Sequence, residues 1–163
     1  MRTTSLTAVL ALALLATASC GSDDRNDYRI SSVAMEPTLA VGDVVTAKMV
    51  EPGEYQPHTG DLVVFEAPDS WGGSAGDPPR IYRVIAVPGD TVSCCDTTGR
   101  VLHNGTALSE PYLADKGEPP PAFDLLTVPA GHVFLLGDNR AQANDSAHNG
   151  PLSLTTVIGV VEN

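Results

Sequence analysis

The chain has 163 residues and carries nine lysines and arginines against twenty aspartates and glutamates, a formal net charge of −11. Its length is that of one domain, and with 42% hydrophobic residues it can bury a core. Because phosphate contacts need clustered cations, this acidic chain is not expected to bind nucleic acid. Thirteen prolines and fifteen glycines favour short strands joined by turns over a helical bundle.

The first predicted element is a targeting segment, residues 1–19. Residues 6–18 form an uncharged apolar run. As a helix this run would measure about 20 Å, too short for a hydrocarbon core of about 30 Å and typical of a signal peptide. The run ends in Thr-Ala-Ser followed by Cys20, which resembles the lipobox of bacterial lipoproteins. We therefore predict cleavage before Cys20, lipidation of that residue and a location on the extracytoplasmic face of the cell membrane. Ordinary secretion and an uncleaved anchor are the alternatives.

Residues 20–27 are polar and are predicted to tether the folded domain to the membrane surface. Residues 28–163 are predicted to form one mainly β domain with little helix, because no window shows a long 3.6-residue apolar period. Apolar and β-branched runs predict strands, and Asn104-Gly105 between two such runs predicts a hairpin. The predicted strands cover residues 43–50, 62–65, 80–87, 101–103, 106–108, 132–136 and 156–161. Residues 68–79 are predicted to be a loop, and residues 116–121 a stiff proline-rich connector.

Four motifs follow one another along this domain. They are Ala-Met-Glu-Pro-Thr-Leu from Ala34, Gly-Asp-Leu-Val-Val-Phe from Gly60, Tyr-Arg-Val-Ile-Ala-Val-Pro-Gly-Asp from Tyr82 and Gly-Asp-Asn-Arg from Gly137. Their order and spacing resemble the type I signal peptidases, serine endopeptidases that remove signal peptides from exported proteins. The resemblance implies coiled antiparallel β sheets around a barrel. It also implies a serine nucleophile and a lysine general base whose pKa is lowered by desolvation.

The sequence departs from this family at the catalytic positions. The nucleophile position is Ala34, which has no nucleophilic atom, and the base position is Tyr82, whose phenol is ordinarily protonated at neutral pH. The hydroxyl position of the oxyanion hole is retained as Ser32. The supporting positions after the Gly-Asp-Asn-Arg motif are Ala143, Asp145 and Ala147. We interpret the chain as an inactive member, a non-catalytic binding lipoprotein whose partners are the membrane surface and extended peptides or exported proteins.

An active serine endopeptidase that uses unassigned residues such as Ser32 is the alternative function. His148 could pair with a serine, although an exposed loop histidine is the simpler interpretation. The other histidines show no ligand spacing, so no metal or other cofactor is expected.

Three further features of the sequence have structural interpretations. Cys94 and Cys95 can form a disulfide, remain two buried thiols or serve a redox role. Trp71 can contact lipid or pack within its loop. Asp138 and Arg140 are expected to be a turn pair, with the aspartate accepting from backbone amides and the arginine donating to carbonyls or a carboxylate.

Overall fold

The computed structural model describes residues 24–113 and 119–162. These residues form eleven strands and one short helix, α1, at Ser146–Asn149, together with three 3₁₀ turns. The strands are β1 Arg25–Arg29, β2 Val44–Met49, β3 Leu62–Phe65, β4 Arg80–Ala86, β5 Thr91–Cys94, β6 Val101–His103, β7 Thr106–Ala107, β8 Phe123–Thr127, β9 His132–Leu136, β10 Leu152–Ser153 and β11 Val157–Val161. The prediction of a mainly β fold with little helix is confirmed.

The strands form two antiparallel sheets. The larger sheet has seven strands in the order β1-β2-β11-β3-β4-β9-β10, and the smaller has four in the order β7-β6-β5-β8. Strand β11, near the end of the chain, pairs with both β2 and β3 and so joins the first two hairpins into one sheet. At the predicted Asn104-Gly105 turn, both residues have positive φ, 49° and 76°, as a tight hairpin between β6 and β7 requires.

Strand β1 begins inside the segment that the sequence assigned to the polar tether. Arg25 pairs with Lys48 and Arg29 with Val44, so residues 25–27 belong to the sheet. This strand lies at the sheet edge and four of its five side chains are exposed, which explains its polar composition. Residues 1–23, including Cys20, lie outside the described residues. Within residues 24–113 and 119–162, no helix is long and apolar enough to cross a membrane.

The core consists of two clusters on opposite sides of strand β9. Val133 and Leu135 point into the first cluster, while Phe134 and Leu136 point into the second, and all four are fully covered. Because β9 is buried on both faces, it reads as a continuous apolar run rather than an alternating one. The first cluster packs beneath the site described below, and the second fills the space under the smaller sheet.

Trp71 and the adjacent cysteines both lie close to the core. Trp71 is 2% exposed and stands edge-on to Phe65, with ring centroids 5.7 Å apart, so it packs within the protein. Cys94 and Cys95 are joined by a disulfide at the end of β5, where Cys94 packs against the second cluster.

Candidate functional site

The site begins at a single 3₁₀ turn, Val33–Met35. Ser32 caps this turn, and its Oγ accepts a hydrogen bond from the Ala34 amide at 3.4 Å. The Ala34 carbonyl in turn accepts from the Asn139 amide at 3.0 Å, and Asn139 Nδ2 donates to the Val33 carbonyl at 3.1 Å. The Gly-Asp-Asn-Arg turn is therefore bonded directly to the turn that carries Ala34.

Three of the predicted site positions converge around Gly137. Ala34, Tyr82 and Ala143 are 4%, 4% and 5% exposed and belong to the same core cluster. A Cβ placed on Gly137 would collide with Ala143 Cβ, lie 2.6 Å from the Ala34 carbonyl oxygen and 3.5 Å from Tyr82 Cε1. The Tyr82 ring also packs against Phe65, with centroids 5.5 Å apart. An aromatic ring and two methyl groups thus fill the place where the family motifs meet.

Tyr82 is held as a neutral phenol. Burial raises the pKa of its hydroxyl, and the nearby Asp145 carboxylate raises it further, against smaller opposing effects of Arg80 and the Asn144 amide. The free phenol already has a pKa of about 10. At neutral pH the Tyr82 hydroxyl is therefore protonated and can donate a hydrogen bond.

Asp145 has a structural role at the start of α1. Its carboxylate accepts from the Gly137 amide at 3.1 Å and the Ala147 amide at 3.0 Å, so it ties the helix to the end of β9. Burial raises the pKa of this carboxyl, although both amides oppose the shift. The neighbouring His148 is 44% exposed, with Nδ1 3.7 Å from Asp145 Oδ1. Ala147 is partly buried against the second cluster.

A pocket of about 520 Å³ opens in front of these residues. Its walls are the β1 end and the following segment, the start of β4 with the preceding prolines, and two residues of the loop before α1. The lining residues are Asp27, Tyr28, Arg29, Ile30, Ser31, Ser32, Ala34, Met35, Asp77, Pro78, Pro79, Arg80, Ile81, Tyr82, Gln142 and Asn144. Histidine and lysine are missing from this set. Of the two lysines in the chain, Lys48 is exposed on β2 and Lys116 lies outside the described residues.

Two strand edges along this pocket are open within the described residues. Arg80, Ile81 and Tyr82 pair with β3 on one side, whereas β9 pairs with β4 only from Arg83 onward. On the opposite wall, β1 is the terminal strand of its sheet and pairs with β2 alone. Unpaired N–H and C=O groups at such edges can accept an additional strand.

On the other face of β4, charged side chains form a buried network. Arg83 donates two hydrogen bonds to Asp138, at 2.9 and 2.6 Å, and Thr38 Oγ1 donates a third at 2.5 Å. The Arg83 guanidinium also lies 4.0 Å from the centroid of the Tyr112 ring. The expectation that Asp138 accepts from backbone amides is wrong, because arginine and threonine side chains reach both of its oxygens.

Arg140 does behave as expected. Its Nε donates to the Gly137 carbonyl at 3.0 Å, and Nη2 donates to Glu110 Oε1 at 2.5 Å. Tyr112 also donates to that Glu110 oxygen, at 2.9 Å. No group of three or more His, Cys, Asp or Glu side chains suited to a metal ion is found in residues 24–113 and 119–162.

Two pocket residues, Arg29 and Arg80, were not anticipated from the sequence. Arg29 lies on the edge strand that reads as tether, and Arg80 sits where a loop passes into a strand. Neither belongs to a recognisable motif. The only sequence feature that could have pointed to them is the small number of cationic residues in this acidic chain.

Comparison with known proteins agrees with these motifs. The family model described as "Signal peptidase, peptidase S26" matches residues 2–163. Among curated proteins, a probable thylakoidal processing peptidase 2 of Arabidopsis thaliana is 40% identical over 135 residues, covering 80% of this chain and 35% of that protein. Signal peptidase I of Mycobacterium tuberculosis is 34% identical over 167 residues, covering 78% of this chain and 56% of that protein.

A probable signal peptidase I-1 of Synechocystis is 37% identical, with 80% of this chain and 65% of that protein covered. The chain thus spans between about a third and two thirds of the length of these relatives. Among solved structures, a signal peptidase I from Enterococcus faecalis superposes with a TM-score of 0.53 at 30% identity, covering 66% of this chain and 98% of that one. Because the family model spans nearly the whole sequence, the chain belongs to the signal peptidase family, peptidase S26.

Proposed function

We propose that this chain is a non-catalytic member of the signal peptidase family that binds extended peptides on the extracytoplasmic face of the membrane. The observation that carries the proposal is the pair Ala34 and Tyr82 at the positions that correspond to nucleophile and base. Alanine offers no attacking oxygen, and a buried phenol with a raised pKa offers no proton acceptor at neutral pH. Both side chains are 4% exposed, which also leaves little room for an attacking water.

Ser32 is the one pocket serine that an active enzyme of unorthodox mechanism would be expected to use. Its hydroxyl is exposed, but activation requires a base within hydrogen-bond reach. The two lining carboxylates already accept hydrogen bonds: Asp27 from Thr46 Oγ1 at 2.8 Å, and Asp77 from the Ser74 amide at 2.9 Å. This arrangement favours binding over catalysis.

The open edges of β1 and of residues 80–82 support an extended peptide as the ligand. Main-chain hydrogen bonds to such edges give affinity without depending on the peptide's sequence. Lipidation of Cys20 would hold the pocket close to the membrane, where exported chains emerge. One residue carrying two acyl chains is enough for stable anchoring.

A cleavage assay tests this function. The full-length chain in detergent is mixed with a fluorogenic signal-peptide substrate, and we expect no turnover. Ala34→Ser alone supplies no base and Tyr82→Lys alone supplies no nucleophile, so each single variant should remain inactive. The double variant should cleave weakly, because errors of about 1 Å in positioning cost on the order of 10²-fold in rate. Adding Ala143→Ser and Ala147→Arg should improve it.

Turnover by the unmodified chain would overturn the proposal. Loss of that turnover in Ser32→Ala, but not in the matched variant Ser31→Ala, would identify Ser32 as a nucleophile. Both serines are exposed and line the pocket, so the pair separates a chemical role from a change in the pocket wall.

A further inference from the structure

Within residues 24–113 and 119–162, two arginines have no carboxylate oxygen within 4.0 Å, although the protein is strongly acidic. The described residues include six arginines. Four of them lie within 4.0 Å of a carboxylate oxygen: Arg25 with Glu162, Arg83 with Asp138, Arg100 with Asp96 and Arg140 with Glu110. The other two, Arg29 and Arg80, both line the pocket. In a chain with twenty acidic residues, the two arginines without a carboxylate contact among the described residues therefore belong to one pocket.

Backbone carbonyls hold these two side chains in place without neutralising them. Arg29 Nη1 donates to the Gly42 carbonyl at 3.0 Å, and Arg80 Nη1 donates to the Trp71 carbonyl at 3.2 Å. A guanidinium group has five N–H donors, so each arginine keeps several for a ligand. A guanidinium group held in this way is suited to recognise a carboxylate through paired hydrogen bonds.

The pocket also contains two exposed carboxylates: Asp27 accepts from Thr46 on the neighbouring strand β2, and Asp77 accepts from Ser74 in its own loop. Neither lies within 4.0 Å of a guanidinium nitrogen of Arg29 or Arg80. Arg80 lies close enough to Tyr82, another lining residue, for its positive charge to act against the rise in the pKa of the phenol. Ser32 Oγ accepts from the Ala34 amide, which leaves its O–H free to donate to a ligand.

One wall of the pocket is tightly packed. Ala34 and Tyr82 are each 4% exposed and pack with Ala143 around Gly137. A peptide strand entering between the open edges therefore meets a packed wall where the family's substrates would present the bond to be cut. A strand that ends at this wall would place its terminal carboxylate in the pocket that Arg80 and Ser32 line.

Resting on the peptide-binding function proposed above, we propose that the pocket recognises the free α-carboxylate at the C-terminus of an extended apolar peptide. Arg80 is the principal contact, and the Ser32 hydroxyl is a second donor. Ile30, Met35 and Ile81 supply apolar walls for the side chains behind the terminus. Hydrolysis of a peptide bond generates such a carboxylate, so an endopeptidase acting on exported chains is the class of reaction that supplies this ligand.

The test compares three peptides on the full-length chain in detergent micelles. Each has the sequence Leu-Leu-Ala-Thr-Ala, copied from residues 14–18, with an uncharged fluorophore at its N-terminus. One ends in a free carboxylate, one in an amide, and one continues with Ser-Ser-Gly-amide. Fluorescence anisotropy is measured against protein-free micelles. The free acid should bind about tenfold more tightly than the amide, because it alone forms charge-assisted hydrogen bonds.

Arg80→Gln should reduce binding of the acid to the level of the amide and leave the amide unchanged. Arg100→Gln is the matched control, since Arg100 is exposed, bonds to Asp96 and lies outside the pocket. Raising the salt concentration should narrow the difference between acid and amide, because a partly exposed ion pair is screened.

Equal affinity for acid and amide would overturn this inference and leave peptide binding intact. Failure of all three peptides to bind would overturn both the inference and the peptide-binding function. Cleavage of the extended peptide would overturn the non-catalytic function instead, while the comparison of acid with amide would still decide whether the terminus is recognised.

Discussion

Two adjacent residues of β4, Tyr82 and Arg83, face two regions of very different character. On the Tyr82 side, an aromatic ring and methyl groups pack around Gly137. On the Arg83 side, charged groups are almost completely buried and mutually bonded. The exposed fractions of the Arg83 and Asp138 side chains are 12% and 1%, and those of Arg140 and Glu110 are 2% and 6%.

The charged network around Asp138 is the part of this region that joins the motifs to one another. Asp138 binds Thr38 from the first motif and Arg83 from the third, so one carboxylate joins three of the four motifs. Removing Arg83 or Asp138 alone would leave the other charge buried without its partner, which is strongly destabilising. The side chains of Ala34 and Tyr82 hold no buried ion pair together, because they pack in an apolar cluster. The contacts that join the motifs therefore do not depend on the side chains at positions 34 and 82.

The largest effect on stability is expected for Asp138→Ala. The substitution leaves the Arg83 guanidinium buried without its two carboxylate bonds and frees Thr38. We expect a loss of about 3–5 kcal/mol in the free energy of unfolding, the usual cost of removing one partner of a buried pair. Urea-induced unfolding followed by circular dichroism measures it.

Two matched variants make the result interpretable. Arg83→Met combined with Asp138→Leu removes both charges and should be markedly more stable than Asp138→Ala alone. Arg100→Gln breaks an exposed pair and should cost much less. If Asp138→Ala were no more harmful than Arg100→Gln, the network would not be what holds the motifs together.

The sequence predicts the buried strands at the centre of the larger sheet and misses the edge strands β1 and β8. It also misses β5, which is interior to the smaller sheet, whereas the edge strand β7 is predicted from its Asn-Gly turn. The runs at 62–65, 80–87 and 132–136 lie at the centre of the larger sheet, where burial imposes an apolar pattern. Strands β1 and β8 are edge strands, and most of their side chains are exposed or partly exposed. Solvent accepts almost any residue there, so the local pattern carries little information. Strand β1 consequently reads as a polar tether.

In the site, the sequence predicts the motif residues but not the contacts between residues far apart in the chain. The motifs identified Ala34, Tyr82 and Ala143, and the structure places all three around Gly137. The partner of Asp138 could not be predicted, because Arg83 is 55 residues away and any of several cations could have reached it. Pairing over such distances depends on how the sheets curl. The same holds for Arg29 and Arg80, which come together only when the edge of β1 faces the start of β4.

Gly137→Ala probes the apolar region directly. A methyl group at this position would collide with Ala143 Cβ and lie 2.6 Å from the Ala34 carbonyl oxygen, closer than real Cβ contacts come. Overpacking of this kind typically costs about 1–3 kcal/mol of unfolding free energy. Adding Ala143→Gly removes one of the two collisions and should recover part of the loss. Full stability of the single variant would show that the cluster is looser than the structure indicates.

The smallest effect we predict concerns the ionisation of Tyr82. Burial raises the pKa of this phenol above its ordinary value of about 10. The native state therefore keeps a proton that the unfolded chain loses, and stability must fall as the pH rises above 10, by at most about 1.4 kcal/mol per pH unit for each such group. Tyr55 and Tyr112 also have pKa values raised by burial and act in the same direction.

Unfolding of the unmodified chain and of Tyr82→Phe, measured between pH 7 and 11, separates the contribution of Tyr82 from those of the other two tyrosines. The variant should match the unmodified chain to within about 1 kcal/mol at neutral pH and lose stability less steeply above pH 10. Identical slopes would mean that Tyr82 ionises as readily in the folded state as in the unfolded one, and the phenol would then regain the capacity to act as a base that the proposed function denies it.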